Sequence, residues 1–299
     1  MDDSVYENYK RAGKIAAEAR DYGVSLLKPG VRLLDVATMI ENKITKNGAG
    51  LAFPVNIALN TLAAHYSPWH DDPLSFRKGD VVKLDVGAHI DGYIADTAVT
   101  VELETHLHDA MIHASDEALR KVIDVLTTHL PLSEAGKTIQ NTITSFGYRP
   151  IENLMGHGLG RYELHSGVSI PNVATFGGKT TLNDGDVVAI EPFATNGAGH
   201  VISGQGSNIY LCIDSIKAKF IRDNKTKVLC DKIRTHFGTL PFAQRWYHEL
   251  FPKDDLAMKK LSILGVIKHY PQLVEAKSGI VTQKEHTVIV REDGCEVIT

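Results

Sequence analysis

Apolar residues recur at helical and at strand spacing, in an order that the chain runs through twice. Steps of three and four residues predict helices at 5–22, ending near Gly23, and at 34–47, 109–129 and 133–146, the last with Ser133 as its N-cap. Apolar runs bounded by Gly, Asp and Pro predict strands at 51–59, 81–86, 93–101, 187–195, 208–213 and 285–290. Helices followed by a hairpin, twice over, predict two related halves of one α/β domain.

One apolar segment occurs in two closely similar copies. Gly79–Asp85 has the sequence GDVVKLD and Gly185–Glu191 has GDVVAIE, so each places a carboxylate six residues after its glycine. A negative charge at the end of a buried strand loses its hydration unless a cation or strong donors compensate. The repeat therefore predicts a cation shared by Asp85 and Glu191.

Asp85 gains a partner if its hairpin folds in the expected register. A four-residue loop at 89–92 would place Asp96 directly opposite Asp85, with the two Cβ atoms about 4.5–5.5 Å apart. Like charges that face each other destabilise a strand pair, so the two aspartates either hold a metal or share a proton. The alternative is that both face solvent on an exposed hairpin.

Two further residues extend the candidate ligand set. His157 lies in Met155–Gly160 (MGHGLG), where glycines let the backbone pass close to a ligand, and imidazole commonly joins carboxylates around first-row metals. Glu285 opens an apolar strand near the C-terminus. Taken alone, each has a second interpretation, His157 as a turn residue and Glu285 as an ordinary strand residue.

In order and spacing, these residues resemble the five-ligand signature of the methionine aminopeptidases. The matching segments are Lys83–Gly87 with Asp96–Ala98, Gly156–Gly158 with His165, Ala189–Pro192, and Gln283–His286. More than ninety residues separate Glu191 from Glu285, which is similar to the type 2 enzymes in their short archaeal form. The resemblance implies the α+β pita-bread fold over residues 1–299, in which two pseudo-symmetric halves form a curved, mainly antiparallel sheet covered by helices.

The resemblance also implies a site for two divalent ions, with Co, Mn, Fe, Zn and Ni as candidates. Asp85 would chelate one ion, His157 with Glu191 would complete the other, and Asp96 and Glu285 would bridge both. Four carboxylates nearly neutralise two divalent ions and a bridging hydroxide, which would attack the scissile carbonyl. Glu191 would take the water proton and pass it towards the leaving amine.

Three more residues match positions of that family around the substrate. His65, in the segment AAHY, and His165, in ELHSG, would hydrogen-bond the scissile peptide and its tetrahedral intermediate. Phe53 would line the methionine pocket, although an aromatic residue in a strand is usually part of the core. After Phe53 the chain departs from the less bulky stretch that the family often has, because Val55–Ala58 follows Pro54.

Composition narrows the choice of partners. A net charge of −4 and a pI near 6.4 argue against a binder of DNA or membrane surfaces. Three widely spaced cysteines without a CxxC pair fit reduced thiols in the cytoplasm, and the acidic start Met1–Ser4 does not resemble a secretory signal. We expect a cytoplasmic monomer whose partners are the N-termini of nascent polypeptides.

Residues 214–270, hereafter the insertion, form a separate block. Its apolar positions have helical spacing at Ile216, Phe220, Val228, Ile233 and Phe237, and Lys and Arg outnumber Asp and Glu there by twelve to six. One interpretation is a helical insertion near the active site whose basic face contacts ribosomal RNA transiently. The other is an ordinary solvated helical face.

Three functions therefore compete. The first is an aminopeptidase that removes the N-terminal methionine of nascent proteins when the second residue is small. An X-Pro peptidase of the same fold usually carries a large N-terminal domain, for which the 84 residues before Asp85 leave too little room. A non-catalytic relative that binds RNA or protein would have lost metal ligands, whereas all five are present here.

Overall fold

The computed structural model describes residues 1–176, 178–213 and 216–299. Its helices are α1 (Asp3–Leu26), α2 (Leu33–Lys46), α3 (Asp109–Val125), α4 (Leu132–Ser145), α5 (Asn224–Phe237), α6 (Gln244–Leu250) and α7 (Asp255–Ile263), with a 3₁₀ turn at Ile216–Phe220. Its strands are β1 (Gly50–Leu51), β2 (Asn56–Leu59), β3 (Leu62–Ala64), β4 (Val81–Ile90), β5 (Tyr93–Glu102), β6 (Arg149–Pro150), β7 (Met155–Gly160), β8 (Glu163–Pro171), β9 (Val187–Ile190), β10 (Phe193–Thr195), β11 (Val201–Cys212), β12 (Phe242–Ala243), β13 (Ile267–Glu275), β14 (Val281–Gln283), β15 (His286–Arg291) and β16 (Gly294–Val297).

The helices pack in pairs against antiparallel strands. In the first half, α1 packs on β4, β5 and α2, while β4 pairs with β5 along one side and with β1 and β2 along the other. In the second half, α3 and α4 pack together beside two sheets with the strand orders β16-β15-β9-β7-β8 and β14-β10-β6. Among the helices of the described residues, none is long and apolar enough to cross a bilayer. The α+β class implied by the family resemblance is confirmed. The α/β class predicted from the order of elements is wrong, because the strands of these sheets pair antiparallel.

Three predicted helix boundaries are wrong, and two of them have identifiable reasons. Helix α3 ends at Val125, four residues before the predicted end at 129. Helix α1 runs through Gly23 to Leu26. A Cβ at Gly23 would lie 2.5 Å from the Ile40 side chain and 2.7 Å from that of Leu84, so a larger residue would clash there. The glycine therefore permits close packing and does not end the helix. Helix α4 begins one residue before Ser133, whose hydroxyl instead donates to the Gly178 carbonyl at 2.8 Å.

The two copies of the repeated segment fold alike. The Asp80 carboxylate accepts a hydrogen bond from the Arg77 N–H at 2.7 Å, and the Asp186 carboxylate accepts one from the Asn183 N–H at the same distance. The glycine before each aspartate has a φ of +85°. The sequence repeat is thus a structural repeat in which Asp85 and Glu191 occupy equivalent positions, each five residues beyond the matched aspartate.

The halves meet at a second pair of equivalent residues. Glu285 N–H donates to the Ala98 carbonyl at 3.0 Å, and Ala98 N–H donates back to the Glu285 carbonyl at 3.4 Å. Ala98 lies five residues before Leu103, whose N–H donates to the Asp80 carbonyl. In the same way, Glu285 lies five residues before Val290, whose N–H donates to the Asp186 carbonyl. A pseudo-twofold axis therefore passes between Ala98 and Glu285.

Two buried threonines clamp the halves together around that axis. The Thr287 hydroxyl donates to the Asp96 carbonyl and accepts from the Asp96 N–H, each at 2.8 Å. The Thr100 hydroxyl makes the same pair of bonds to Gln283, at 2.7 and 2.8 Å. Each hydroxyl satisfies backbone groups that would otherwise be buried without partners, so the clamps fix the strand segment that carries Asp96 and the one that precedes Glu285.

A buried ion pair attaches the insertion to the first half. Arg245 at the start of α6 pairs with Glu41 of α2, and it donates to the Ser67 hydroxyl at 2.7 Å. Glu41 also accepts from the Trp246 indole at 2.9 Å and from the Val55 N–H at 3.2 Å. With both charges and most of their hydrogen-bonding groups satisfied, the pair holds α6 against the chain segment that follows Phe53.

The insertion has its own hydrophobic cluster, which its predicted periodicity describes only in part. Ile233 is fully buried in that cluster and Phe237 packs against it. Phe220 is 71% exposed and Val228 is 44% exposed, so these two positions with helical spacing are not buried in the cluster. Asp214 and the side chain of Ile216 lie outside the described residues.

Removing one threonine hydroxyl should weaken the junction of the halves. Thr287→Val keeps the shape of the side chain but leaves buried Asp96 backbone groups unbonded, and each such group costs about 1–3 kcal/mol. We expect a fall of at least that size in the free energy of unfolding, measured by urea titration. Thr287→Ser keeps the hydroxyl and is the matched control. Equal stability of the valine and serine variants would contradict the clamp.

Candidate metal centre

The hairpin that carries the two aspartates has a tighter turn than the sequence predicted. Ile90 pairs with Tyr93, so the loop consists of Asp91 and Gly92 alone and not of four residues. Both turn residues have positive φ, +50° and +88°, which matches the right-handed twist of the strands that they join.

Asp85 and Asp96 are diagonal neighbours and do not lie directly opposite each other. Asp85 pairs with Ala98, and Asp96 pairs with Gly87. The predicted pairing is therefore wrong, but the register differs by two residues, and side chains alternate with a period of two. Both carboxylates consequently remain on one face of the hairpin, where they lie close enough for each to affect the pKa of the other.

Strands of the second half bring three more side chains to the same place. His157 comes from β7, Glu191 directly follows β9, and Glu285 directly precedes β15. His157 Nε2 lies 3.8 Å from an oxygen of Asp96 and 3.8 Å from one of Glu191. Asp96, His157 and Glu285 each offer one ligand atom within 4.8 Å of the other two. All five predicted ligands therefore meet across the junction of the halves.

Gln283 is a polar residue of this centre whose role the sequence did not indicate. Its amide donates to Glu285 at 3.2 Å and to Glu191 at 3.4 Å. It belongs to the matched segment Gln283–His286, but its sequence context did not indicate that it contacts Glu191, ninety-two residues away. In the pseudo-twofold arrangement Gln283 is the counterpart of Asp96, two residues before Glu285 as Asp96 is two before Ala98.

The electrostatics of the cluster call for a positive ion. Burial raises the pKa of Asp85 to about 7, and burial together with neighbouring carboxylates raises the pKa values of Asp96 and Glu285 well above the usual range. Burial also raises the pKa of Glu191, with a further contribution from Asp85. Within the described part of the chain, no lysine or arginine forms an ion pair with any of the four acids.

Two carboxylate oxygens in the cluster have no hydrogen-bond partner although they are shielded from solvent. They are Oδ1 of Asp85 and Oδ1 of Asp96. Burial lowers the pKa of His157 to about 3, so its imidazole is neutral, the form that ligates metals. Oxygen-rich clusters with one imidazole suit divalent first-row ions, and these residues therefore fit a divalent metal site.

His65 and His165 lie beside the cluster in different settings. His65 has a φ of +64°, in the left-handed region that non-glycine residues rarely adopt, and its Nδ1 bonds the Pro271 carbonyl at 3.2 Å. Burial lowers its pKa to about 4, so the ring is neutral. His165 is exposed, and its ring lies 4.4 Å from that of His157.

All eight predicted site residues line one pocket of about 520 Å³. Phe53 forms an apolar part of its wall, where its ring lies over Gly87; a Cβ at that glycine would be 2.1 Å from the ring. Further lining residues, which the sequence did not single out, are Asn56, Ala64, Leu164, Ile209, Pro241 and Tyr270. Most are apolar residues with ordinary sequence contexts, and Pro241 and Tyr270 belong to the insertion.

Comparison with known proteins gives the same result. The sequence profile of metallopeptidase family M24 matches residues 7–234. The chain is 46% identical over 299 residues to the methionine aminopeptidase of Methanocaldococcus jannaschii, with 100% of both chains covered. It also superposes on the crystal structure of methionine aminopeptidase from Thermotoga maritima with a TM-score of 0.74 at 24% identity, covering 100% of this chain and 98% of that one.

A thermophilic Arx1 structure superposes with a TM-score of 0.83 at 16% identity, covering 100% of this chain and 91% of that one, a likeness of fold alone. The pita-bread fold and its acidic centre define a metal-dependent peptidase. The chain belongs to metallopeptidase family M24 and, within it, to the methionine aminopeptidases. The predicted fold, family and enzyme class are thus confirmed.

The raised pKa of Asp85 makes metal binding dependent on pH. Between about 3.9, the pKa of an exposed aspartate, and about 7, the folded metal-free protein holds a proton that the unfolded chain has released. This group therefore destabilises chelator-treated protein as pH rises through that window. Because a divalent ion expels such protons, we expect the metal to stabilise the protein more at about pH 7.5 than at about pH 5.

Urea titrations of chelator-treated protein, with and without Mn²⁺, measure this difference, and calorimetry in two buffers counts the protons released. Asp85→Asn carries no titratable proton at this position, so in this variant the number of protons released per bound Mn²⁺ should fall. A stabilisation by Mn²⁺ that does not change with pH would contradict the assignment.

Proposed function

We propose that the chain removes the N-terminal methionine from nascent polypeptides whose second residue is small, and that it does so with two divalent ions. The observation that carries this proposal is the pair of unpartnered oxygens of Asp85 and Asp96 in a pocket that holds the other three matched ligands. The full-length similarity to methionine aminopeptidases supports the substrate.

The five residues divide naturally between two ions. Asp85 would chelate one, His157 and Glu191 the other, and Asp96 and Glu285 would bridge them. Four carboxylates balance the charge of two divalent ions, among which Co, Mn, Fe, Zn and Ni all accept such ligands. Bound divalent ions lower the pKa of water and polarise a carbonyl group.

Glu191 is the proposed proton carrier. One of its oxygens lies 3.8 Å from His157 Nε2, and the other accepts from the Gln283 amide at 3.4 Å. It would accept the proton of the attacking water and deliver it to the leaving amine. Because Gln283 also holds Glu285, it orients both carboxylates and acts as a positioning residue.

The two histidines have different proposed tasks. A carbonyl oxygen only accepts, so His65 must carry its proton on Nδ1, facing Pro271, and its Nε2 is then an acceptor. His65 would accept a hydrogen bond from a substrate N–H. Stabilisation of the oxyanion requires a donor, and that task falls to His165.

Phe53 supplies the apolar surface for the methionine side chain in this proposal. It is 4% exposed, and Ile209, Leu164 and Pro241 line the same pocket. A flexible thioether side chain gains free energy by leaving water for such a surface.

Peptide hydrolysis tests the proposal. Chelator-treated protein should gain activity on Met-Ala-Ser when Mn²⁺ or Co²⁺ is added, and should leave Ala-Pro-Ala uncleaved. His157→Ala and Glu285→Ala should lose at least about 100-fold in kcat/KM together with bound metal, because each removes a ligand. Metal content is measured on the same samples by elemental analysis.

Two results would overturn the assignment. Cleavage of Ala-Pro-Ala alone would establish an X-Pro peptidase, and no cleavage of either peptide would favour a non-catalytic relative. Full activity of either ligand variant would place the metal elsewhere.

We propose that the protein acts in the cytoplasm as a monomer and associates transiently with the ribosome. Part of the basic surface of the insertion is paired internally: Lys225 contacts Asp254 at 3.0 Å and Lys260 contacts Asp223 at 3.1 Å. This pairing supports the alternative of a solvated face, because paired lysines attract phosphate less.

Neutralising the basic positions decides between the two interpretations. The test variant carries Gln in place of Lys217, Lys219, Lys225 and Lys227; the side chain of Lys217 lies outside the described residues. If the insertion binds ribosomal RNA, this variant should co-sediment less with ribosomes, and its co-sedimentation should depend less on salt concentration. Activity on Met-Ala-Ser is the control for folding. Co-sedimentation equal to that of the unaltered protein would leave the solvated face as the explanation.

A further inference from the structure

Asn56 presents an unpaired hydrogen-bond acceptor inside the pocket. The residue is 6% exposed, and its Nδ2 donates to the Pro54 carbonyl at 2.8 Å. That bond fixes which end of the amide is which, because a carbonyl oxygen would have nothing to accept from another carbonyl oxygen. The Asn56 Oδ1 atom is then left shielded from solvent without a partner.

The position of Asn56 brings this acceptor next to Asp85. The two residues are direct partners across β2 and β4, and their side chains therefore project from the same face of the sheet. Both line the pocket, and Oδ1 of Asp85 also lacks a partner. With Asp85 assigned to the metal, Asn56 Oδ1 is the acceptor left beside it, and among the described residues no side chain donates to it.

Buried acceptors that remain unpaired favour a ligand that brings donors. The pocket wall from Asn56 to Asp85 adjoins Phe53, the proposed contact of the methionine side chain, three residues before Asn56. In a peptide that begins with methionine, the α-ammonium group is bonded to the same Cα as that side chain. It carries a positive charge and three N–H donors, whereas an internal peptide nitrogen carries one N–H and no charge.

We propose that Asn56 Oδ1 accepts a hydrogen bond from the free α-ammonium group of the substrate and thereby helps to restrict the enzyme to chain ends. The inference rests on the function proposed above and adds the residue that recognises the amine. An acylated nitrogen keeps one N–H and carries no charge, so it is a weaker donor to Asn56 than the free ammonium group. Asn56 thus selects both for the amine and against an internal peptide bond.

Matched ligands separate amine recognition from packing. L-methioninamide and its des-amino analogue, 4-(methylthio)butanamide, differ only in the amine, and their Kd values are measured by calorimetry with Mn²⁺-loaded protein. The unaltered protein should prefer methioninamide, and Asn56→Leu, similar in size but without an acceptor, should lose about 10- to 100-fold of that preference, as expected for one hydrogen bond to a charged group. Binding of the des-amino analogue should change little.

Three further measurements make the test specific. Asn56→Asp keeps an acceptor and should retain the preference, which decides the question if the leucine variant does not fold. Asn153→Leu removes an amide that bonds the Val201 backbone and does not line the pocket, and its ratio of the two Kd values should match that of the unaltered protein. With Met-Ala-Ser, Asn56→Leu should raise KM more than it lowers kcat.

The inference is overturned if Asn56→Leu weakens both ligands equally, which would show a packing role, or if it loses bound Mn²⁺, which would show that Asn56 serves the metal. These results are distinct from failure of the proposed function, because in that case the unaltered protein itself would not cleave Met-Ala-Ser.

Discussion

Four carboxylates crowd around one imidazole where the two halves of the chain meet, and the rest of the structure is arranged around the cost of keeping them there. Withdrawn from water and close to one another, they favour their protonated forms, as the raised pKa values of Asp96, Glu191 and Glu285 show. Compensation comes from a divalent ion, which outcompetes the protons for the same oxygens. A site that is electrostatically unfavourable when unfilled thus becomes selective for a highly charged ligand.

The pseudo-twofold symmetry positions the strands that carry the site, and the residues that differ between the two halves determine its chemistry. Asp85 and Glu191 are equivalent, and so are the clamping threonines Thr100 and Thr287. The second strands differ, since Asp96 has Gln283 as its counterpart and Glu285 has Ala98. If both strands carried both acids, six carboxylates would crowd the junction. The glutamine instead contributes donors, which hold the two glutamates of the second half in place.

The pocket beside this centre draws on segments that are distant in the chain, and each is fixed by a different kind of contact. Phe53 lies over a glycine of β4, His65 is held in a left-handed conformation by the Pro271 carbonyl, and Pro241 comes from the insertion. The buried pair of Glu41 and Arg245 joins the insertion to the stretch after Phe53. Because a charge left without its partner in such a place is costly, this pair couples the shape of the pocket to the docking of the insertion.

Local order in the chain determined the repeated strand ending in a carboxylate and the helix and strand order, and its short motifs carry the family resemblance that predicts the five ligands of the centre. These features depend on periodicity and on short motifs, which a sequence carries directly. Register, and with it the diagonal placement of Asp85 and Asp96, depended on a two-residue turn at Asp91–Gly92. The dipeptide Asp-Gly favours such a turn, but the predicted four-residue loop did not use that signal. Gln283, Asn56 and the threonine clamps emerged only in the tertiary structure, because a hydrogen bond between strands almost two hundred residues apart, such as Thr287 to Asp96, leaves no local trace in either segment. The sequence by itself thus determined which groups the centre contains, whereas the packing of the two halves decided which atoms remain unpaired and available to a ligand.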